Sequence, residues 1–117
     1  MRGDTCYWLS KGTNTWSKSR DDCAQKGSQM LVIQDQEHMG HLQSALPEVD
    51  HVWIGLAFNS SQGRWTWLDG APVHKELFPG INWAEQNSCG VLTRTKIDLE
   101  TCRVQLKWLC QKDAFLL

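Results

Sequence analysis

The chain has 117 residues, which suits one domain around one core. Hydrophobic residues make up 41% and charged residues 21%, a globular balance that excludes a disordered chain. The formal net charge of −1 argues against a broad basic face for nucleic acid or for an acidic membrane surface.

Residues 7–10, YWLS, read as a short strand, and KGTN turns the chain. Thr15 is placed to cap a helix carrying Trp16, Arg20, Cys23 and Ala24, with Gly27 as its stop. MLVI, 30–33, is a buried strand or extended segment. Asp35 caps a second helix with Glu37 in its first turn. Met39, Leu42, Ala45 and Leu46 give that helix one apolar stripe, and Pro47 closes it. Beyond residue 50 the composition turns to β-formers. VWIGLAF (52–58) and RWTWL (64–68) are joined by the turn-like NSSQG. Residues 69–87 hold Gly70, Pro72, Pro79 and Gly80 and no period, so they read as one long loop. CGVLT (89–93), KIDLETC (96–102) and LKWLCQK (106–112) complete the strands. Helices first and strands after them define an α+β class with a mostly antiparallel sheet. The apolar runs MLVI and AFLL are far below the roughly 18–20 residues that span a bilayer, and no signal-peptide pattern is visible.

Five cysteines stand at 6, 23, 89, 102 and 110. No CxxC pair supports a tetrahedral zinc site, and the wide spacing suits disulfides of an oxidising compartment. Two bridges among five cysteines leave one over, and spacing does not decide which. Of the seven tryptophans, Trp53, Trp65, Trp67 and Trp108 fall on strand patterns and belong in or beside the core, while Trp16 packs the first helix. Trp83 lies in the irregular loop, where it either packs the loop down or offers an aromatic anchor to a partner.

The stretch INWAEQNSCGVL, 81–92, crowds Asn82, Glu85, Gln86, Asn87 and Ser88 before a cysteine and raises the question of a metal or sugar site. His38 and His41 are three apart on the second helix but have no carboxylate third ligand, so they read as surface histidines. No nucleophile elbow or Ser/His/Asp set points to an enzyme. Asn59-Ser60-Ser61 is an N-glycosylation pattern in a turn, and Arg2-Gly3-Asp4 is a terminal tripeptide of little information.

Taken together, CYWLS, Trp16 with Cys23, VWIGL, WTWLDG, NSC, ETC and KWLCQK resemble the C-type lectin-like domain over about residues 6–112. Their order is most similar to the natural killer cell receptor group of that family. The resemblance implies one C-type lectin-like domain over 1–117 with its core at about 6–112. It implies the bridges Cys23–Cys110 and Cys89–Cys102, worth roughly 4 and 3 kcal/mol in the chain-entropy model. Cys6 is then unpaired, pairs with an upstream cysteine absent from this chain, or bridges two chains as a homodimer. Any membrane anchor, as in a type II receptor, would lie in that upstream segment.

Sugar-binding members of the family hold calcium through a Glu-Pro-Asn or Gln-Pro-Asp triplet in the long loop and a Trp-Asn-Asp triplet before the third core cysteine. Here the loop proline sits in Phe78-Pro79-Gly80, and the second triplet reads Ile97-Asp98-Leu99. Calcium wants six to eight oxygens, several of them anionic, so neither metal nor cofactor is expected. The resemblance implies an extracellular recognition domain on a natural killer or lymphoid cell, binding a lectin-like or class I-type protein. The expected contacts are Lys75, Glu76, Phe78, Ile81, Trp83 and Glu85 in the loop, then Arg94, Lys96, Arg103 and Gln105. The rival readings are a ligand-side counter-receptor, a decoy of the same fold and a calcium-dependent carbohydrate lectin.

Overall fold

A computed structural model describes residues 5–46, 49–75 and 78–113. Arg2-Gly3-Asp4, Pro47, Glu76 and residues 114–117 lie outside the described residues. The elements run β1 (Thr5–Leu9), α1 (Trp16–Gln25), β2 (Gln29–Met30), α2 (Gln36–Ala45), β3 (Val52–Asn59), β4 (Arg64–Trp67), β5 (Ser88–Leu92), β6 (Ile97–Thr101) and β7 (Leu109–Asp113). Among the described residues the strands divide into two sheets of order β1-β7-β2 and β4-β3-β5-β6, and the named strands pair antiparallel.

Local chemistry sets the helix ends. The Asp35 carboxylate accepts the His38 N–H at 2.8 Å and caps α2. Thr15 holds the cap position of α1 in an extended conformation, but its side chain makes no capping bond. Its carbonyl instead accepts both the N–H and the hydroxyl of Ser19. At the other end the Gly27 N–H reaches Ala24 O and the Ser28 N–H reaches Cys23 O, a Schellman closure with Gly27 at φ +68°. Of the α2 stripe, Leu42 is buried, Met39 and Leu46 are half-buried, and Ala45 is exposed.

The four-stranded sheet separates two core clusters. Alternation along β3 sends Val52, Ile54, Leu56 and Phe58 to one face and Trp53 and Ala57 to the other. The first face packs against Leu31, Ile33, Leu42, Trp65, Trp67 and Leu92. The second packs against Trp16 and Cys23 of α1 with Met30, Cys89, Val91 and Cys110. The buried indole nitrogens donate to backbone, Trp16 Nε1 to Ile54 O at 2.8 Å and Trp53 Nε1 to Asn14 O at 2.9 Å.

The two sheets meet along residues 31–33. Leu31 N–H donates to Leu109 O, and Gly55 N–H donates to Leu31 O at 2.7 Å. A Cβ on Gly55 would stand 3.0 Å from that same oxygen, so the glycine of the WIGL run lets one backbone lie against another. Val32 N–H is taken by the Gln111 side chain. MLVI is therefore strand only at Met30 and extended, buried backbone after it.

Two disulfides close the fold. Cys23–Cys110 ties α1 to β7 across 87 residues, and Cys89–Cys102 ties β5 to the end of β6 across 13. Cys6 is a free, exposed cysteine on β1, an edge strand.

Candidate functional site

The long loop lies on the β3–β4 hairpin. Ladder pairs Leu56–Trp67 and Phe58–Trp65 place Trp65 and Trp67 side by side on one face. Phe78 meets Trp67 edge-on at 6.2 Å between ring centroids, and Trp83 meets Trp65 edge-on at 5.3 Å. The Trp65 indole N–H also donates to the Trp83 backbone carbonyl at 2.8 Å. The loop is thus fastened to the sheet at two aromatic points, and Phe58 extends the row behind Trp65.

This geometry separates the expected contacts. Phe78 is 5% exposed and belongs to the core, so its placement among surface contacts is corrected: an aromatic ring in an irregular segment found an aromatic strand face to cover. Trp83 and Ile81 are half-buried. Lys75 is exposed, and its ammonium stands 5.6 Å from the centroid of the Trp83 ring, in cation–π range. Glu85 is exposed beside them in sequence, and Glu76 lies outside the described residues.

The second group of contacts splits in two. Arg94 and Lys96 sit in the β5–β6 turn, where Asp50 accepts the Arg94 N–H at 3.2 Å and Asp98 lies 3.7 Å from Lys96 Nζ. Both pairs are solvent-exposed and contribute little to stability. Arg103 and Gln105 follow the other end of β6, also exposed. Five strand residues at about 3.4 Å each put the two ends roughly 15 Å apart. Asn87 O accepts the Cys102 N–H at 3.3 Å, which joins the Arg103 end to the loop segment before β5. Val104, between Arg103 and Gln105, is the exposed large hydrophobic among the described residues, at 37%. Nothing in its local pattern marks it; only its place between two expected contacts could have.

The oxygen-rich stretch is occupied with itself. Asn82 Oδ1 accepts the Ala84 N–H, Asn82 Nδ2 lies 3.4 Å from Glu85 Oε1, and Ser88 Oγ lies 3.5 Å from Glu85 Oε2. Asp98 accepts the Leu99 N–H at 2.8 Å, while Ile97 and Leu99 pack on the first core cluster. Among the described residues no three His, Cys, Asp or Glu side chains gather as a metal site. His38 binds on both ring nitrogens, accepting the Gln34 N–H at Nδ1 and meeting Tyr7 Oη at Nε2, whereas His41 is exposed. A cleft of about 260 Å³ between residues 32–34 and Trp67, Pro72 and Phe78 is smaller than the usual small-molecule site.

Two helices, two antiparallel sheets, two disulfides and a long loop folded onto a hairpin define the C-type lectin-like fold. The family model for the lectin C-type domain matches residues 12–112, and the chain belongs to that family, within its natural killer cell receptor group. It is 41% identical over 106 residues to human killer cell lectin-like receptor subfamily F member 1, covering 91% of this chain and 46% of that protein. It is 32% identical over 111 residues to mouse killer cell lectin-like receptor subfamily B member 1B allele B, covering 94% of this chain and 50% of that one. The chain thus spans about half the length of the curated relatives it matches. The crystal structure of natural killer cell receptor Ly49C superposes with a TM-score of 0.77 at 23% identity, covering 97% of this chain and 90% of that one, a likeness of fold.

Proposed function

We propose that this domain is the extracellular recognition module of a receptor on natural killer or related lymphoid cells, and that it docks a protein on another cell without calcium or catalysis. The observation that carries this reading is the clamped loop. Trp83, held edge-on to Trp65 and half-open to solvent under the Lys75 ammonium, is a rigid aromatic anchor with a charged neighbour. Rigid aromatic anchors within a polar rim are what a transient protein interface uses, because little side-chain entropy is lost on docking. Ile81 and Glu85 flank the anchor, and Arg103, Val104 and Gln105 extend the surface past Cys102. Arg94 and Lys96 form a separate patch at the far end of β6.

The donor set supports the calcium-independent reading. The triplet position filled by Leu99 has no oxygen side chain, and the Asn82, Glu85 and Ser88 groups bond one another. Calcium would have to gather its oxygens from groups that the fold has turned elsewhere. The melting temperature of the domain is therefore expected to be the same in millimolar calcium and in chelator.

Tetramers of the domain, applied to a panel of cell lines, test the reading as a whole. Staining should survive chelator and enzymatic removal of cell-surface glycans, and should vanish after mild protease treatment of the cells. Trp83→Ala, checked for folding, should weaken binding by more than ~1 kcal/mol, about five-fold. Staining that needs calcium and resists protease would replace this reading with a carbohydrate lectin. Unchanged binding by folded Trp83→Ala would remove the loop from the interface.

A further inference from the structure

The chain holds four asparagines, at 14, 59, 82 and 87, and only Asn59 has a hydroxyl residue two places on with no proline between. Asn59 is the last residue of β3, and Ser60, Ser61, Gln62 and Gly63 after it are all exposed. The turn is held by the Asn59 backbone carbonyl, which accepts the N–H groups of Gln62 at 3.2 Å and Gly63 at 2.8 Å. The Asn59 side chain adds Oδ1, which also accepts the Gln62 N–H at 3.2 Å. Its Nδ2 makes no hydrogen bond among the described residues, and neither does the Ser61 hydroxyl. The other asparagines are engaged differently: Asn82 Nδ2 reaches Glu85, and Asn87 precedes a buried serine and a cysteine locked in a disulfide.

We propose that Asn59 carries an N-linked glycan, on the side of the β3–β4 hairpin opposite the long loop. The two disulfides assign the chain to an oxidising, secretory compartment, where lipid-linked oligosaccharide diphosphate is the donor. In the transfer the bond from the sugar C1 to the donor phosphate oxygen breaks and the bond from C1 to Nδ2 forms. Nδ2 gives up one proton, and the lipid diphosphate leaves. The product amide keeps Oδ1 and one N–H, so the bond from Gln62 that shapes the turn persists through the modification.

Strand alternation decides where the glycan stands. Phe58 and Trp65 are a ladder pair facing the loop, so Asn59 and its partner Arg64 face the other way. The oligosaccharide would rise beside Arg64 at the outer end of β4, which is an edge strand. There a polar, bulky group shields an edge from pairing with a second chain and leaves Trp83 and Lys75 uncovered.

The full chain, led into the secretory pathway of a cultured animal cell by a cleavable leader, tests this directly. Amidase release of N-glycans in heavy-oxygen water should convert Asn59 to labelled aspartate in peptide mass spectra and collapse the secreted band to one lower mass. Asn59→Gln and Ser61→Ala should each abolish the shift, and Ser61→Thr should keep it. Ser61→Ala retains the turn bonds of Asn59, so it reports even where Asn59→Gln fails to fold. An unmodified Asn59 peptide in the secreted wild-type chain, or a glycan that survives Ser61→Ala, would overturn the proposal.

Discussion

Phe78→Ala probes how the loop is held. The ring is 5% exposed and lies edge-on to Trp67, itself 4% exposed, so its removal leaves a cavity that the flanking sheet cannot close. Buried Phe-to-Ala changes cost about 3–5 kcal/mol, lost transfer energy plus cavity. Unfolding entropy near 2.1 cal/mol/K per residue gives roughly 250 cal/mol/K for 117 residues, so each kcal/mol moves the melting temperature by about 4 °C. Phe78→Ala should thus lower it by about 12–20 °C in calorimetry on the disulfide-intact chain. Phe78→Leu, which keeps most of the apolar volume, should cost less than half as much. A surface residue would give a change within about 0.5 kcal/mol, near 2 °C. A Phe78→Ala shift that small would refute the two-point attachment of the loop.

Two further outcomes follow from packing and cross-linking. A Cβ at Gly90 would lie 2.6 Å from Leu56 Cβ, and Leu56 is fully buried, so Gly90→Ala should destabilise by about 1–3 kcal/mol in urea titration. Adding Leu56→Ala should make the double mutant less destabilised than the sum of the singles, because each change relieves the other. Replacing Cys89 and Cys102 together by Ala should cost roughly 3 kcal/mol, since their bridge closes a short loop, and a loss under 1 kcal/mol would mean the unfolded chain is already restrained there.

Much of the local structure was legible in the residues. Asp35 before a periodic stripe with Glu37 in the first turn is a helix start by its own chemistry, and the bond to His38 N–H bears it out. Gly27 as the stop of the first helix has the same standing, because the αL conformation favours glycine whatever lies around it. The strand runs 52–58 and 64–68 were visible for a similar reason, and their joining turn contains its own signals. Thr15 is a cap by position alone. The position is right, but the side chain makes no capping bond.

The candidate site was legible only in part. Trp83 stood out because a tryptophan in an irregular loop needs something to pack on, and whether that is Trp65 or a partner cannot be read from spacing. Phe78 looked equivalent and is not: five residues from Trp83, it is buried on Trp67. The strand expected over 96–102 already separates Arg94 from Arg103 and Gln105; that the Arg103 end joins the loop segment before β5, through the Cys102 N–H to Asn87 O bond, is a fact of strand pairing.

The sequence by itself determined the α+β class, the caps and turns, the family and the absence of an oxygen side chain at Leu99, because each rests on residue identity or on neighbours within a few positions. Only the tertiary structure decided which strands share a sheet, which face of β3 each aromatic occupies, and which loop residues remain in solvent. Those depend on contacts between segments far apart along the chain, such as Trp8 with Cys110 and Gly55 with Leu31, whose free energy no local pattern encodes.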